Sequence, residues 1–230
     1  MCGRSSITKS QKELEERFGA TFYSDEILKY DPNYNAAPSQ NLPVITNEDS
    51  DLIQLYRWGL IPFWSKDKSI SYKMINARAE TLMEKPSYKT LIKRKRCLVL
   101  ADGFYEWMKK DGGKIPYRVT MKDENAFAFA GLWDVWNKEE TIYSFTIITL
   151  KPNKMMANIH DRMPAILLPE EEKLWIDPEL SGDDAMKLLN PYPDDAMKAY
   201  PVSKLVNSPG NNEPDILKPD PDPELVSFGV

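Results

Sequence analysis

The second residue of the chain, Cys2, carries the most distinctive chemistry in the sequence. Because cysteine is small, the initiator Met1 can be removed, and the mature chain would then begin with an α-amine and a thiol on adjacent carbons. An α-amine has a pKa of ~7.7–8.0 and is therefore partly unprotonated at neutral pH. Such an amine condenses with an aldehyde to an imine, and the neighbouring thiol then closes a five-membered thiazolidine ring. Two other interpretations stay open here: the thiolate alone could be an acyl-transfer nucleophile, or Cys2 could be a chance residue at a frayed end.

Polar residues at three places deeper in the chain are candidates for binding and proton transfer. Asn76 and Arg78 share one face if their segment is extended, and an amide with a guanidinium suits a sugar phosphate. Glu106 stands between two aromatic residues, where desolvation raises a carboxyl pKa towards values useful in proton transfer. His160 is the single histidine, and its ordinary pKa is close to neutrality. Each also has a structural interpretation, namely a helix cap, a rim glutamate paired with a lysine, and a histidine bonded to the next aspartate.

The composition bounds the kind of protein that holds these residues. The chain has 230 residues, 42% hydrophobic and 28% charged, which is typical of an ordinary soluble domain. It contains no run of about 18 apolar residues and no apolar N-terminal segment, so we expect no membrane span, no secretory signal and a cytoplasmic location. Two cysteines and one histidine argue against a disulfide scaffold and common zinc motifs. We expect neither a metal nor a cofactor.

Charge is distributed unevenly along the chain. Residues 1–120 hold 20 Lys and Arg against 15 Asp and Glu, whereas residues 121–230 hold 10 against 20. The net charge of −5 therefore conceals a basic first half that could present a phosphate-binding face. Four consecutive basic residues at 93–96 would contribute to it, although such runs are also common on solvated surfaces.

The hydrophobic pattern predicts an α+β domain with a mainly antiparallel, barrel-like sheet and flanking helices. We expect one domain over residues 1–207 and a proline-rich acidic tail over residues 208–230. The predicted strands are 42–46, 52–58, 96–107, 115–121, 126–132, 142–150, 163–168 and 199–206. The predicted helices are 10–18, 152–158, 169–176 and 181–189, with partial helical spacing over 79–95.

Five ordered segments together resemble one known family, the SOS response-associated peptidase (SRAP) family of abasic-site processing proteins. The resemblance extends over about residues 2–210. The segments are MCGR at 1–4, RWGLIPFW at 57–64, NARAET at 76–81, DGFYEW at 102–107 and IHDRMP at 159–164.

This resemblance implies an activity and a set of residue roles. The family bonds covalently to abasic sites in single-stranded DNA through a thiazolidine, which makes Cys2 the nucleophile. It further implies that Asn76 holds the sugar, that Glu106 moves protons during imine formation and crosslink reversal, and that His160 assists opening of the deoxyribose ring. It implies DNA contacts from Arg4, Trp64, Arg78, Trp107, Thr149 and Arg162.

Two alternatives to covalent capture remain. A cysteine peptidase would use Cys2 as nucleophile, His160 as base and Glu106 as the group that orients it, with self-removal of Met1 as a possible peptidase act. A non-catalytic single-strand binder would bind DNA reversibly with salt and form no covalent product. We expect the partner to be single-stranded DNA containing abasic sites, reached by a monomer that associates with the nucleoid when bound.

Overall fold

The computed structural model describes residues 2–24 and 30–220. Thirteen strands lie within them: β1 (Ser5–Ile7), β2 (Thr21–Phe22), β3 (Asn33–Ala36), β4 (Asn41–Thr46), β5 (Leu52–Trp58), β6 (Asn76–Arg78), β7 (Arg96–Ala101), β8 (Gly103–Lys110), β9 (Gly113–Met121), β10 (Phe127–Asn137), β11 (Thr141–Leu150), β12 (Met163–Pro164) and β13 (Met197–Pro201). The α-helices in the same residues are α1 (Gln11–Phe18), α2 (Pro86–Lys89), α3 (Leu91–Arg94), α4 (Lys154–Ala157), α5 (Pro169–Trp175) and α6 (Gly182–Lys187).

A closed five-stranded barrel forms the larger part of the core. Its strands pair in the order β11, β10, β7, β4 and β5, and β5 pairs back onto β11 to close the ring. The closing β5–β11 pair is parallel and the other four pairs are antiparallel. Close packing inside requires Gly131, because a Cβ there would lie 2.8 Å from Cys97 Sγ.

A second sheet of five antiparallel strands lies beside the barrel, in the order β13, β9, β8, β1 and β3. Together with the short helices, these sheets confirm the predicted α+β class with a mainly antiparallel, barrel-like core. Trp58, at the end of β5, is fully buried, as expected of a core residue.

The single strand predicted over 96–107 is wrong, because the chain changes sheets at Asp102. β7 runs in the barrel and β8 runs in the second sheet. The buried Asp102 carboxylate accepts hydrogen bonds from Ser6 Oγ at 2.7 Å and from the backbone N–H of Thr8 at 2.5 Å. These partners lie about a hundred residues earlier in the chain, so the local pattern of 96–107 gave no sign of the break.

The first helix begins and ends where the sequence predicts. Ser10 and Glu13 form a capping box at its N-terminus, and Gly19 ends it in the left-handed region at φ 67°. Two other predictions were less accurate. Only Met163–Pro164 of the predicted strand 163–168 is a strand, and the last strand is Met197–Pro201, followed by a 3-10 turn over Lys204–Asn207.

The described part of the predicted tail packs against the domain. Ile216 is 1% exposed and forms a small apolar cluster with Tyr105 of β8 and with Val202 and Val206. Pro219 pairs with Val202 in an isolated antiparallel β-bridge. Burial of one isoleucine and pairing of the backbone hold residues 208–220 in place despite their prolines. Residues 221–230 lie outside the described residues.

Candidate functional site

The N-terminal segment enters the site along strand β8. Ser5 pairs with Phe104 and Ser6 with Gly103 in antiparallel register, and the backbone N–H of Tyr105 donates to Arg4 O at 2.9 Å. This ladder carries the chain towards the Glu106 end of β8. Cys2 is fully buried there, and its Sγ donates a long hydrogen bond of 3.7 Å to Arg4 O.

Asn76 fixes the backbone of Cys2. Strand β6 pairs in parallel with β11, with Asn76 opposite Ile147. The amide Nδ2 donates a 2.7 Å hydrogen bond to Cys2 O. The amide Oδ1 is buried and has no hydrogen-bond partner within the described residues. A buried free acceptor beside the reactive residue is suited to a substrate hydroxyl or an amine.

Glu106 and His160 form the ionisable pair of the site. His160 Nε2 lies 3.9 Å from Glu106 Oε2, too far for a direct hydrogen bond but close enough for a proton to pass through a small intervening group. Burial raises the pKa of the Glu106 carboxyl to about 7, although a hydrogen bond from the Trp107 backbone lowers it in part. The carboxyl is therefore present in both protonation states at neutral pH.

The orientation of His160 is set by its neighbours. Burial lowers the pKa of His160, so the imidazole is mainly neutral at neutral pH. The backbone N–H of Arg162 donates to Nδ1 at 3.0 Å. Because Nδ1 then accepts, the proton of the neutral ring resides on Nε2, which faces Glu106. The Asp161 carboxylate, 2.9 Å from Nδ1, would pair with the ring when it is protonated.

The thiol of Cys2 is in an environment that keeps it protonated. Burial raises the pKa of the Cys2 thiol far above its ordinary value, and the negative charge of Glu106 raises it further. Cysteines that act directly as thiolate nucleophiles show the opposite shift, towards lower pKa. A neighbouring base must therefore remove the thiol proton during any reaction, and Glu106 is the carboxyl whose charge the thiol senses.

The residues expected to contact DNA differ in their exposure to solvent. Trp64 and Arg78 lie exposed at the surface, with 49% of Trp64 accessible. Trp107 is partly buried, and Thr149 is fully buried with its Oγ1 3.4 Å from Ala77 O.

Arg4 and Arg162 are engaged with protein groups. Arg4 Nη1 donates to Asn35 Oδ1 at 2.7 Å and to Val206 O at 2.8 Å. Arg162 forms a bidentate pair with Glu80, at 2.5 and 2.9 Å, and donates to Thr149 O at 2.6 Å. Phosphate binding by Arg162 would require exchange of the Glu80 carboxylate.

Comparison with known proteins identifies the family of the chain. The family model of the SOS response associated peptidase (SRAP) matches residues 1–209. The chain belongs to the SRAP family. It is 49% identical over 223 residues to abasic site processing protein YoqW of Bacillus subtilis (strain 168), covering 95% of this chain and 99% of that protein.

More distant SRAP relatives span most of the same length. Abasic site processing protein HMCES of Xenopus tropicalis is 36% identical over 262 residues, covering 94% of this chain and 78% of that protein. A crystal structure of a protein from Bacteroides thetaiotaomicron, 35% identical, superposes with a TM-score of 0.88 and covers 95% of this chain and 100% of that one. The SRAP fold therefore extends over nearly the whole chain.

Asn35 and Glu80 are contributors to the site region to which sequence reasoning gave no role. Asn35 is fully buried and donates from Nδ2 to the carbonyls of Ser208 and Asn211 while accepting from Arg4. Glu80 holds Arg162. Glu80 lies in the segment 76–81 that the sequence singled out for Asn76 and Arg78, and Asn35 lies in none of the five segments. Only the folded contacts give the two residues a role.

The site has no metal-binding character in the part of the chain that is described. Within residues 2–24 and 30–220, no group of three or more His, Cys, Asp and Glu side chains is arranged to hold a metal ion. The helices of these residues are all too short or too polar to cross a bilayer.

Proposed function

We propose that this protein captures abasic sites in single-stranded DNA covalently, through a thiazolidine formed by an N-terminal Cys2 after removal of Met1. The names of its SRAP relatives, abasic site processing proteins, support a role in processing such sites. The observation that supports covalent capture is that Asn76 and Glu106 lie beside Cys2. Asn76 bonds to its carbonyl, and Glu106, a carboxyl with a pKa of about 7, lies close enough to influence the thiol.

Ring opening of the abasic deoxyribose is the first step. The closed sugar carries a hydroxyl on C1, and loss of its proton with protonation of the ring oxygen gives the aldehyde. In its ionised form Glu106 accepts the hydroxyl proton, and the bond between C1 and the ring oxygen breaks. His160 donates a hydrogen bond from Nε2–H to the ring oxygen as negative charge develops there, and that oxygen takes up one proton from solvent. The 3.9 Å separation between the two groups supports their acting on the two oxygens of one sugar.

Imine formation follows and releases one water. The lone pair of the Cys2 α-amine attacks aldehyde C1 and gives a carbinolamine. Protonated Glu106 donates its proton to the carbinolamine hydroxyl, which leaves as water, and an iminium ion remains.

Ring closure returns the proton that Glu106 gave. The Cys2 sulfur attacks the iminium carbon while its proton passes to the Glu106 carboxylate. The product is a thiazolidine, Glu106 is again protonated, and the net change is the joining of protein and DNA with loss of one water. Because the aldehyde is consumed, β-elimination can no longer break the strand at that site.

The raised pKa of the Cys2 thiol favours this amine-first order over peptidase chemistry. A peptidase nucleophile needs a thiolate at the start of the reaction, whereas burial keeps this thiol protonated. In the amine-first order the thiol is needed only after an electrophilic iminium stands beside it.

Exposed aromatic and basic side chains support a path for single-stranded DNA. Trp64 and its neighbour Phe63 are 49% and 65% exposed, and Arg78 is also exposed. Unpaired bases can stack on such rings, whereas bases within a duplex cannot. We assign Trp64 and Trp107 to base contacts, and Arg78 and Arg4 to phosphates. Thr149 and Arg162 hold the surrounding backbone.

The test uses a single-stranded oligonucleotide with one abasic site and a denaturing gel. Wild-type protein should give a band that survives denaturation, and Cys2→Ala should give none while still binding DNA. A matched control inserts one serine between Met1 and Cys2, which keeps the thiol but separates it from the α-amine. A full covalent yield from the insertion variant would refute the thiazolidine, and binding without any covalent band in wild type would indicate a plain single-strand binder.

A further inference from the structure

Residues 203–220, which we call the C-terminal strap, run across the second sheet close to the site. The strap begins with a 3-10 turn over Lys204–Asn207, capped by the Ser203 side chain. It is anchored by the buried Ile216 and by the bridge of Pro219 to Val202. The strap therefore has a fixed position on the sheet rather than hanging from its edge.

The strap contacts two residues that flank the reactive groups. Val206 O accepts a 2.8 Å hydrogen bond from Arg4 Nη1, and the Asn207 Oδ1 accepts one of 2.7 Å from Trp107 Nε1. Arg4 lies two residues after Cys2, and Trp107 directly follows Glu106. Val206 and Asn207, at the end of the predicted domain 1–207, are thus bonded to both neighbours of the site.

The contact to Trp107 limits the orientation of the indole. An indole has one N–H donor, and this donor is taken by a side chain on a capped turn. The same side chain packs against the small apolar cluster of Tyr105, Val202, Val206 and Ile216, the last two of which belong to the strap. With its donor bonded and its side chain packed against this cluster, the ring has little freedom to rotate away from its position.

We propose that Asn207 is a positioning residue that holds the Trp107 indole in the orientation needed for stacking on a DNA base. This inference rests on the proposed function, because it assumes that Trp107 lines the DNA path. Asn207 contacts no reacting atom; it acts through Trp107, and loss of its acceptor would free the ring to turn and weaken stacking.

Asn212 supplies a matched control in the same strap. Its Oδ1 also accepts an N–H from the sheet, at 2.8 Å, but the donor is the backbone of Tyr34. Both asparagines are exposed. Asn207→Ala and Asn212→Ala therefore remove similar bonds, and they differ in whether the donor is a side chain beside the site.

The experiment measures binding of an undamaged single-stranded oligonucleotide by fluorescence anisotropy, and crosslinking of the same oligonucleotide with one abasic site. We expect Asn207→Ala to weaken binding about fivefold, a part of the stacking contribution of one base, and Asn212→Ala to change it by less than about twofold. Thermal unfolding midpoints should fall by similar amounts in both variants. In a Trp107→Phe background, which lacks the indole donor, Asn207→Ala should have no further effect on binding.

Two results would overturn the positioning role. One is equal weakening of DNA binding by Asn207→Ala and Asn212→Ala; the other is an undiminished effect of Asn207→Ala in the Trp107→Phe background. Wild-type protein that binds the undamaged strand but forms no covalent product would refute the proposed chemistry alone, and the anisotropy comparison would still decide the role of Asn207. Wild-type protein that binds no single strand would overturn both.

Discussion

Replacement of Glu106 by glutamine should invert the pH dependence of crosslink formation. With a pKa of about 7, the Glu106 carboxyl is about half protonated at pH 7 and about 1% protonated at pH 9. An α-amine with a pKa of ~7.8 is about 14% unprotonated at pH 7 and about 94% at pH 9. Dehydration of the carbinolamine needs both the free amine and the protonated acid. We take it as the rate-limiting step, and the rate then follows the product of these fractions.

The product predicts opposite trends for the two proteins. The wild-type rate should peak between about pH 7 and pH 8 and fall about sevenfold from pH 7 to pH 9. Glu106→Gln should be slower at pH 7 by about a hundredfold, the lower end of general acid–base contributions, and its rate should rise about sevenfold over the same range as the amine deprotonates.

The assay is a single-turnover time course with excess protein over an abasic single strand, quenched and resolved on a denaturing gel from pH 5 to pH 9. Glu84→Gln, a change at an exposed carboxyl, serves as the control and should keep the wild-type profile. An alkaline fall that persists in Glu106→Gln, or an unchanged rate in that variant, would refute proton transfer by Glu106.

Three further predictions concern stability and positioning. The raised folded-state pKa of Glu106 means that its protonated form stabilises the fold fully below about pH 4.5, and that this stability is lost as pH rises through about 7. Glu106→Gln should therefore be more stable than wild type by ~1–3 kcal/mol in urea unfolding at pH 8. A gain as large at pH 4 would contradict the reasoning. Asn76→Ala should slow crosslinking about fivefold through loss of one hydrogen bond to Cys2 O, measured at saturating protein, and no change would remove Asn76 from the site. Arg96→Met should cost ~3 kcal/mol in urea unfolding, because the buried guanidinium donates to three backbone carbonyls; the exposed Arg94→Met should change little, and equal effects would contradict the assignment.

Local signals in the sequence predicted the elements that depend on local contacts. The capping box of Ser10 and Glu13 and the stop at Gly19 involve residues three to nine apart, and the helix lies where they indicate. The alternating patterns of 42–46 and 52–58 likewise predicted two barrel strands. The break at Asp102 was missed because its cause is a carboxylate bonded to Ser6 and Thr8, which the local pattern does not contain.

In the candidate site too, residue types could be predicted from the sequence, whereas contacts between distant segments could not. Residue chemistry alone suggested Cys2, Asn76, Glu106 and His160 one at a time, each with an ordinary alternative. Their meeting depends on the parallel pairing of β6 with β11 and on the N-terminal segment running along β8. From the sequence, only the resemblance to the SRAP family predicted that these four residues form one site.

Partners of the arginines could not be predicted, since these pairings join distant segments. Arg162 has a basic side chain suited to phosphate, yet Glu80 holds it in a bidentate pair. Arg4 is bonded to Asn35 and to Val206 O, which lie 31 and 202 residues further along the chain.

Intact-mass spectrometry of the protein, before and after mixing with a single strand that carries one abasic site, tests the covalent proposal most directly. The first spectrum establishes whether Met1 has been removed. We predict a new species at the mass of the chain beginning at Cys2 plus the oligonucleotide minus one water, stable to denaturation and absent with Cys2→Ala. A protein that begins at Cys2 and yields no adduct, or an adduct that persists in Cys2→Ala, would contradict capture through an N-terminal thiazolidine.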